Sequence, residues 1–466
     1  MKISSLRLAI LAGLFSSGAA VAAPPTAAQE IAALKAELQH QREIAAQQQA
    51  RLEALESKLN ATVDVQRAVA ENDAKEKAAD KKKLDVSGKL GDGLNVTYNG
   101  GKDNIKLYGL IDLTIRHTTN ANSKGQGTFD ITQGYFSGSR WGIIGNHNLG
   151  WDNGTANVIY KLESEYDMRD GALHDTVGNG AGELFNRDAW IGYESETVGR
   201  VTFGRQNTLG RDFAEVYGVP FNKANVDYPE GGWSNTNFAK NGIFYVGGAN
   251  GTRYNGGIVW KKKVGDWIGG VAYELSDQTG QNNPVIGAFS HNTTEAVALA
   301  YNGENFTLSG DYNQAEINGY WHKTFTVGGN YRFDDFRVNA GYFHYTAEQP
   351  LAPANRKDDN YILSGSWNPG KGKMEYFLSW EGATAKNAGL SSSGFTLAPF
   401  KNTASVKKVG SGDRDAYQLG AMYHADKRVD FYVVADRMST TGGYWESGAH
   451  GFRSVLELCT GLRLRF

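Results

Sequence analysis

Residues 454–466 read Ser-Val-Leu-Glu-Leu-Cys-Thr-Gly-Leu-Arg-Leu-Arg-Phe. Leu456, Leu458, Thr460, Leu462, Leu464 and Phe466 fall on one face of an extended chain, and Val455, Glu457, Cys459, Gly461, Arg463 and Arg465 on the other. Successive strand side chains point to opposite faces, so one face suits lipid and the other water. The stretch ends on an aromatic residue with no polar tail. That suits the closing strand of a transmembrane barrel, where aromatics gather at the membrane interface.

The same period of two runs back through the chain. Leu107, Ile111, Leu113 and Ile115 share a face against Lys106, Tyr108, Asp112 and Arg116. Val158, Tyr160 and Leu162 oppose Asn157, Lys161 and Glu163; Phe325, Val327, Tyr331 and Phe333 oppose Thr324, Thr326 and Asn330. Tyr376, Leu378 and Trp380 oppose Glu375, Ser379 and Glu381, and Val429, Phe431, Val433 and Ala435 oppose Asp430, Tyr432 and Asp436. Short links at 302–305, 333–336 and 425–428 alternate with long polar ones at 278–291, 347–360, 386–412 and 441–451. Short turns at one end and long loops at the other mark a barrel, and about 16 strands would enclose an aqueous channel. The expected fold is all-β: a transmembrane antiparallel barrel of about 16 strands. A sandwich or propeller is disfavoured, because no blade-length repeat occurs.

Composition agrees. Charged residues make up 21% and mean hydropathy is -0.46, so a hydropathy scan finds no membrane helix beyond the N-terminus. Barrel strands escape such a scan because half of each faces a polar lumen. Tyr 23, Phe 21 and Trp 10 against Pro 9 fit an aromatic-girdled sheet. Cys459 is the single cysteine. It excludes an intramolecular disulfide and calls for shielding in an oxidising compartment.

The N-terminus differs. Lys2 and Arg7 precede the apolar run Leu8–Phe15, and Ala20-Val21-Ala22 fits a cleavage site, so residues 1–22 read as a signal peptide. Residues 23–83 read as a periplasmic helical segment and charged linker. Within 29–70 the heptad seam is apolar at its ends (Ile31, Leu34, Leu38; Leu52, Leu55, Leu59) and polar between, a pattern for a coiled coil or a solvated helix. Residues 84–466 are assigned to the barrel, preceded by this helical segment. The net charge of -2 falls further when Lys2 and Arg7 are removed, and nothing points to nucleic acid.

One connection stands apart. Roughly 45 residues lie between the strand ending near Arg205 and the one starting near Gly251, a length usually tied to function. They include Asp212, Glu215, Asp227, Tyr228, Pro229, Glu230, Gly231 and Gly232. Folded into a channel, such a loop would narrow it and its carboxylates would set the local field.

At this point residues 104–466 resemble the trimeric general porins of Gram-negative outer membranes. The carriers are Leu107-Tyr108-Gly109, Ser139-Arg140-Trp141-Gly142, Leu162-Glu163, Arg187-Asp188-Ala189-Trp190-Ile191-Gly192, Phe203-Gly204-Arg205-Gln206, Tyr228-Pro229-Glu230-Gly231-Gly232 and Arg465-Phe466. The resemblance implies an inward-folded third loop facing wall arginines. Carried over, the wall basics are Arg140, Arg187, Arg205 and Arg253, Glu163 is a lumen carboxylate, and Asp227 and Glu230 are the loop acids. Leu110 and Gly247 stand where some relatives carry basic residues, which thins the positive side. The likeness further implies a homotrimer in outer-membrane lipid and lipopolysaccharide, assembled by the barrel machinery through Phe466, passing small hydrophilic solutes and ions. The alternative is a substrate-selective channel for anions, phosphate or sugars. A sugar channel would want a ladder of lumen aromatics, and Phe343, Tyr345 and Phe377 form none that is evident.

Catalysis has little to work with. His40, His117, His147, His291, His322, His344, His424 and His450 are scattered with no metal-site spacing, and Gly178–Gly182 reads as a loop rather than a phosphate cradle. No catalytic residue, cofactor or metal is expected.

Overall fold

The computed structural model describes residues 85–87, 94–173, 183–214, 252–275, 292–317, 319–348, 355–386, 411–442 and 452–466. The chain divides into two compact units, Met1–Lys82 and Lys83–Phe466. The expected signal peptide and heptad segment, together with Asp227, Glu230 and Gly247, lie outside the described residues.

The strands are β1 (Asp85–Ser87), β2 (Leu94–Tyr98), β3 (Asp103–Thr118), β4 (Thr128–Gln133), β5 (Arg140–Asn148), β6 (Asn157–Glu165), β7 (Asp188–Ser195) and β8 (Gly199–Asn207). They continue as β9 (Arg253–Val264), β10 (Trp267–Glu274), β11 (Thr294–Asn302), β12 (Phe306–Ile317), β13 (Tyr320–Phe333) and β14 (Phe336–Ala347). The last five are β15 (Arg356–Trp367), β16 (Met374–Lys386), β17 (Gly412–His424), β18 (Val429–Thr440) and β19 (Ser454–Arg465). All pairings are antiparallel, and β19 returns to β3 with Leu462 opposite Leu113, which closes the barrel.

Two wall positions are shared. β4 and β5 both pair with β3, so they form one strand broken at residues 134–139. β19 covers β3 from Leu110 to Thr118, and β2 covers the same edge from Asp103 to Leu107. Between them Gly109 and Phe466 exchange backbone hydrogen bonds of 2.9 Å each way. β1 pairs only with β2 and stands outside the closed ring, so the wall counts 16 strands, as the periodicity predicts.

The two faces sort as the pattern requires. Leu299, Leu308, Val327, Leu363, Leu378, Leu419 and Val433 are exposed on the outside, whereas Asp112, Thr114, Ser309, Thr326, Asn339 and Gln418 are buried within. Outward rings form a belt at the short-turn end: Phe333–Phe336, Phe336–Trp367 and Trp367–Tyr376 stack with centroids 5.5, 5.9 and 5.6 Å apart. Such girdles sit at the headgroup level of the bilayer. Cys459 faces inward and is buried, the shielding its position in the pattern calls for.

Turns at 303–305, 334–335 and 425–428 match expectation, with Asp334 in the left-handed region. The long connection anticipated at 347–360 is shorter, because β14 runs to Ala347 and β15 starts at Arg356. Polar residues there (Arg356, Asp358, Asn360) are inward-facing strand residues, and a polar lumen makes them read as loop.

Candidate functional site

The inner surface is not uniform. On β3 to β9 it is charged, and on β10 and β11 it is mostly small and apolar. The apolar part has an occupant. After β8 the chain turns inward into a short helix, α1 (Leu209–Ala214), all six residues of which are buried. Leu209, Phe213 and Ala214 pack against Ile268, Ala272, Ala296, Ala298 and Ala300. Small residues at these inward positions leave room: a Cβ on Gly270 would lie 3.0 Å from Leu209 Cδ2. The alternation Ala296, Ala298, Ala300 is a readable signal, since an inward face bathed in water has no reason to be apolar.

Polar groups fix the start of α1. Leu209 N–H donates to Tyr254 OH (3.1 Å), Arg211 N–H to Thr208 Oγ1 (3.2 Å) and Ser309 Oγ to Phe213 O (2.9 Å). Asp212 accepts from Asn207 Nδ2 (2.8 Å) and pairs with Lys261 of β9. The root of the long third connection is therefore held inside the barrel against β10 to β13.

The charged strip holds three of the residues singled out from sequence. Glu163 on β6 accepts from Tyr108 OH (2.7 Å) and Arg187 Nε (2.5 Å), and Lys161 Nζ stands 3.2 Å away. Arg187 also pairs with Glu165, and Lys161 with Asp188 at 2.7 Å. Arg140 starts β5 opposite Glu165 in register. It is only 2% exposed, and its Nη2 has no hydrogen-bond partner. Lys106, Tyr108, Arg140, Glu163, Asp188 and Lys261 line one common cavity.

Arg205 and Arg253 do something else. The bulge between Gly204 and Gln206, where Gly204 adopts φ +125°, breaks the strict alternation of β8. Arg205 Nε donates to Asn186 O (2.8 Å), and its Nη1 bonds Asn255 Oδ1. Arg253 Nε donates to Arg187 O (3.1 Å), and its Nη1 to Thr252 O (3.3 Å). Both tie segments flanking the strip together. Leu110 faces inward and is fully buried.

Lys161, Glu165, Asp188 and Lys261 belong to the strip without having been singled out. Lys161 and Glu165 share Glu163's face by parity alone, so that signal is present in the sequence. Asp188 and Lys261 become neighbours of the strip only through barrel register.

A second inward segment separates β4 from β5. Residues 134–139, Gly-Tyr-Phe-Ser-Gly-Ser, are all buried. On β3 they leave Asp112 without a ladder partner on that side, and Ser139 Oγ replaces it, accepting from Asp112 N–H and donating to Asp112 O at 3.0 Å each. The Asp112 carboxylate accepts from Ser137 N–H (2.9 Å) and Tyr432 OH (2.6 Å).

Comparison with known proteins gives the family and fold of the barrel. The family model described as Gram-negative porin matches residues 78–443. An outer membrane porin protein of Bordetella pertussis is 25% identical over 364 residues, covering 71% of this chain and 87% of that protein. Among solved structures, the anion-selective porin from Comamonas acidovorans superposes with a TM-score of 0.56 at 18% identity, covering 78% of this chain and all of that one. OmpT of Vibrio cholerae in its trimer form gives 0.50 at 13%, covering 78% and 99%.

Proposed function

This chain belongs to the Gram-negative porins, an outer-membrane channel protein rather than an enzyme, and from that premise we propose a passive route for small hydrophilic solutes and ions past a charged constriction. The observation that carries the reading is the inward-held root of the third connection, opposite a wall strip of Arg140, Lys161, Glu163 and Arg187. Asp227 and Glu230 supply the facing carboxylates in this reading. Opposite fixed charges across a narrow wet gap create a transverse field that favours polar solutes. Reversal potentials in planar bilayers at low salt test it. Asp227→Asn with Glu230→Gln moves selectivity toward anions, and truncating 215–235 raises conductance. Selectivity and conductance indifferent to both changes place the constriction elsewhere.

An anion-selective channel is the second reading. Lys106 and Arg140 favour it: among the described residues neither has a hydrogen bond or close ion pair, whereas Lys161, Arg187, Arg200 and Lys261 are matched by carboxylates. The Comamonas relative carries that property in its name. The same reversal potentials decide.

The assembled form we propose is a homotrimer, as named for the Vibrio structure. The outward faces of β3 and β19 are aliphatic (Leu107, Ile115, Leu458, Leu462) where β13 to β16 carry the ring belt, which suits contact with a second copy. Residues 29–70 would clamp the subunits from the periplasm. Lipopolysaccharide packs around the assembly, and Phe466 serves the barrel machinery. Crosslinking of a Leu52→Asp, Leu55→Asp, Leu59→Asp variant reads the clamp as loss of trimer heat stability.

A further inference from the structure

The lumen contains two inserts. The first, α1, covers the apolar inner face of β10 and β11. The second, residues 134–139, covers an apolar inner face on the other side of the closing seam. Phe136 packs edge-on against Tyr432 of β18 (centroids 4.9 Å) and Phe377 of β16 (5.6 Å), and the guanidinium of Arg463 on β19 stands 5.6 Å from its ring. Met422, Val434 and Cys459 complete the cluster. The segment thus leaves the wall at β4, passes inside β3 and β19, and reaches β16.

Its seat is built in advance. A Cβ on Gly461 would lie 2.2 Å from the Tyr432 ring, and one on Gly420 would lie 2.2 Å from the Phe377 ring. These glycines let both rings lie flat on the wall and receive Phe136. The segment's own glycines serve the carboxylates: a Cβ on Gly134 would meet Asp112 Cγ at 2.1 Å, and one on Gly138 would meet Glu165 Oε1 at 2.1 Å. Tyr135 N–H donates to Thr114 Oγ1 (2.7 Å), and its hydroxyl to Asp436 Oδ2 (3.3 Å). The connection is ordered at both ends and at its rings, inside the space that a 16-strand barrel leaves open.

We propose that residues 134–139 are a second width-setting element of the channel, acting from the seam side and separately from the third connection. This rests on the channel reading above. The physical reason is the pairing of each insert with an apolar wall. Inward-facing Phe377, Met422 and Val434 would be misplaced against water, as would Ala296, Ala298 and Ala300, and each set is covered. The cross-section left for solutes is bounded by the two inserts and floored by the charged strip of β3 to β9. Arg140, the residue directly after the segment, is delivered to that strip by it.

The test uses the full-length protein in planar bilayers, with Tyr135→Ala and Phe136→Ala combined. Removing two rings from the cross-section raises single-channel conductance by roughly 1.5-fold, because pore width sets conduction. The size cut-off for neutral polyethylene glycols moves upward with it. A folded, heat-modifiable variant with parental conductance and parental cut-off overturns the proposal. Should the double variant fail to fold, Phe136→Leu keeps an apolar contact with the cluster and is read the same way, with a smaller rise expected. A silent parent protein overturns the channel reading itself, so the two failures are distinguishable. Asp227→Asn with Glu230→Gln, which alters the third connection's charge alone, changes ion preference without moving the cut-off. A cut-off that moves only there assigns the width to the third connection and overturns the proposal.

Discussion

Arg140→Gln and Arg187→Gln remove the same charge from the same strip, yet their consequences should differ. Arg187 is buried and pairs with Glu163 and Glu165, themselves 2% and 1% exposed. Deleting one partner of a buried ion pair leaves an uncompensated charge and costs about 3–5 kcal/mol. For a domain of 150–250 residues that corresponds to roughly 2–4 °C per kcal/mol, and less for a larger one, so a loss of roughly 5 °C is expected. Arg140 makes no hydrogen bond among the described residues and reaches Glu163 through its charge alone, so its removal should lower the midpoint by clearly less. Selectivity should move toward cations in both. An ion passing at roughly 8 Å feels about 0.5 kcal/mol from one charge in water, about halved by screening at 0.1 M salt. Because the effect has opposite sign for anion and cation, the permeability ratio changes roughly two-fold. Heat-modifiability on gels gives the midpoint, and reversal potentials give the ratio. Equal midpoints for the two variants, or a selectivity shift in only one, would refute the assignment of Arg187 as closely ion-paired and Arg140 as held by charge alone.

Gly138→Ala places a methyl group against the Glu165 carboxylate and should lower the folded barrel's thermal midpoint, at a cost of about 1–3 kcal/mol. Asp212→Asn removes the charge facing Lys261, so reversal potentials should move toward anions, whereas Lys261→Gln should move them toward cations. Asp152 lies in the turn between β5 and β6, and the hydroxyl and amide of Thr197, in the turn between β7 and β8, donate to it and hold its carboxyl at about 2. A depressed folded value stabilises above the ordinary carboxylate range and is lost as pH falls toward about 2. Asp152→Asn should therefore melt below the parent at pH 7 and with it near pH 2, as followed by a pH series of gel midpoints.

The period of two in 454–466 and its repeats determined the fold class. Alternation is a local backbone property: adjacent strand residues cannot avoid facing opposite sides, and lipid outside with water inside writes that constraint into every strand. The same parity put Glu163 and Lys161 on the inner face before any partner strand was known. Tertiary structure decided which charges meet. Glu163 finds Arg187 across the gap between β6 and β7, and Asp212 finds Lys261 only because the chain after β8 turns inward. The bulge at Gly204 alters the alternation around Arg205, and that depends on a backbone angle of one residue. The seam cluster is the extreme case. Phe136, Phe377 and Tyr432 are far apart in sequence, and their contact exists only after β19 has paired with β3 and closed the wall. Register and closure are long-range events, and residue spacing along one chain carries no record of them.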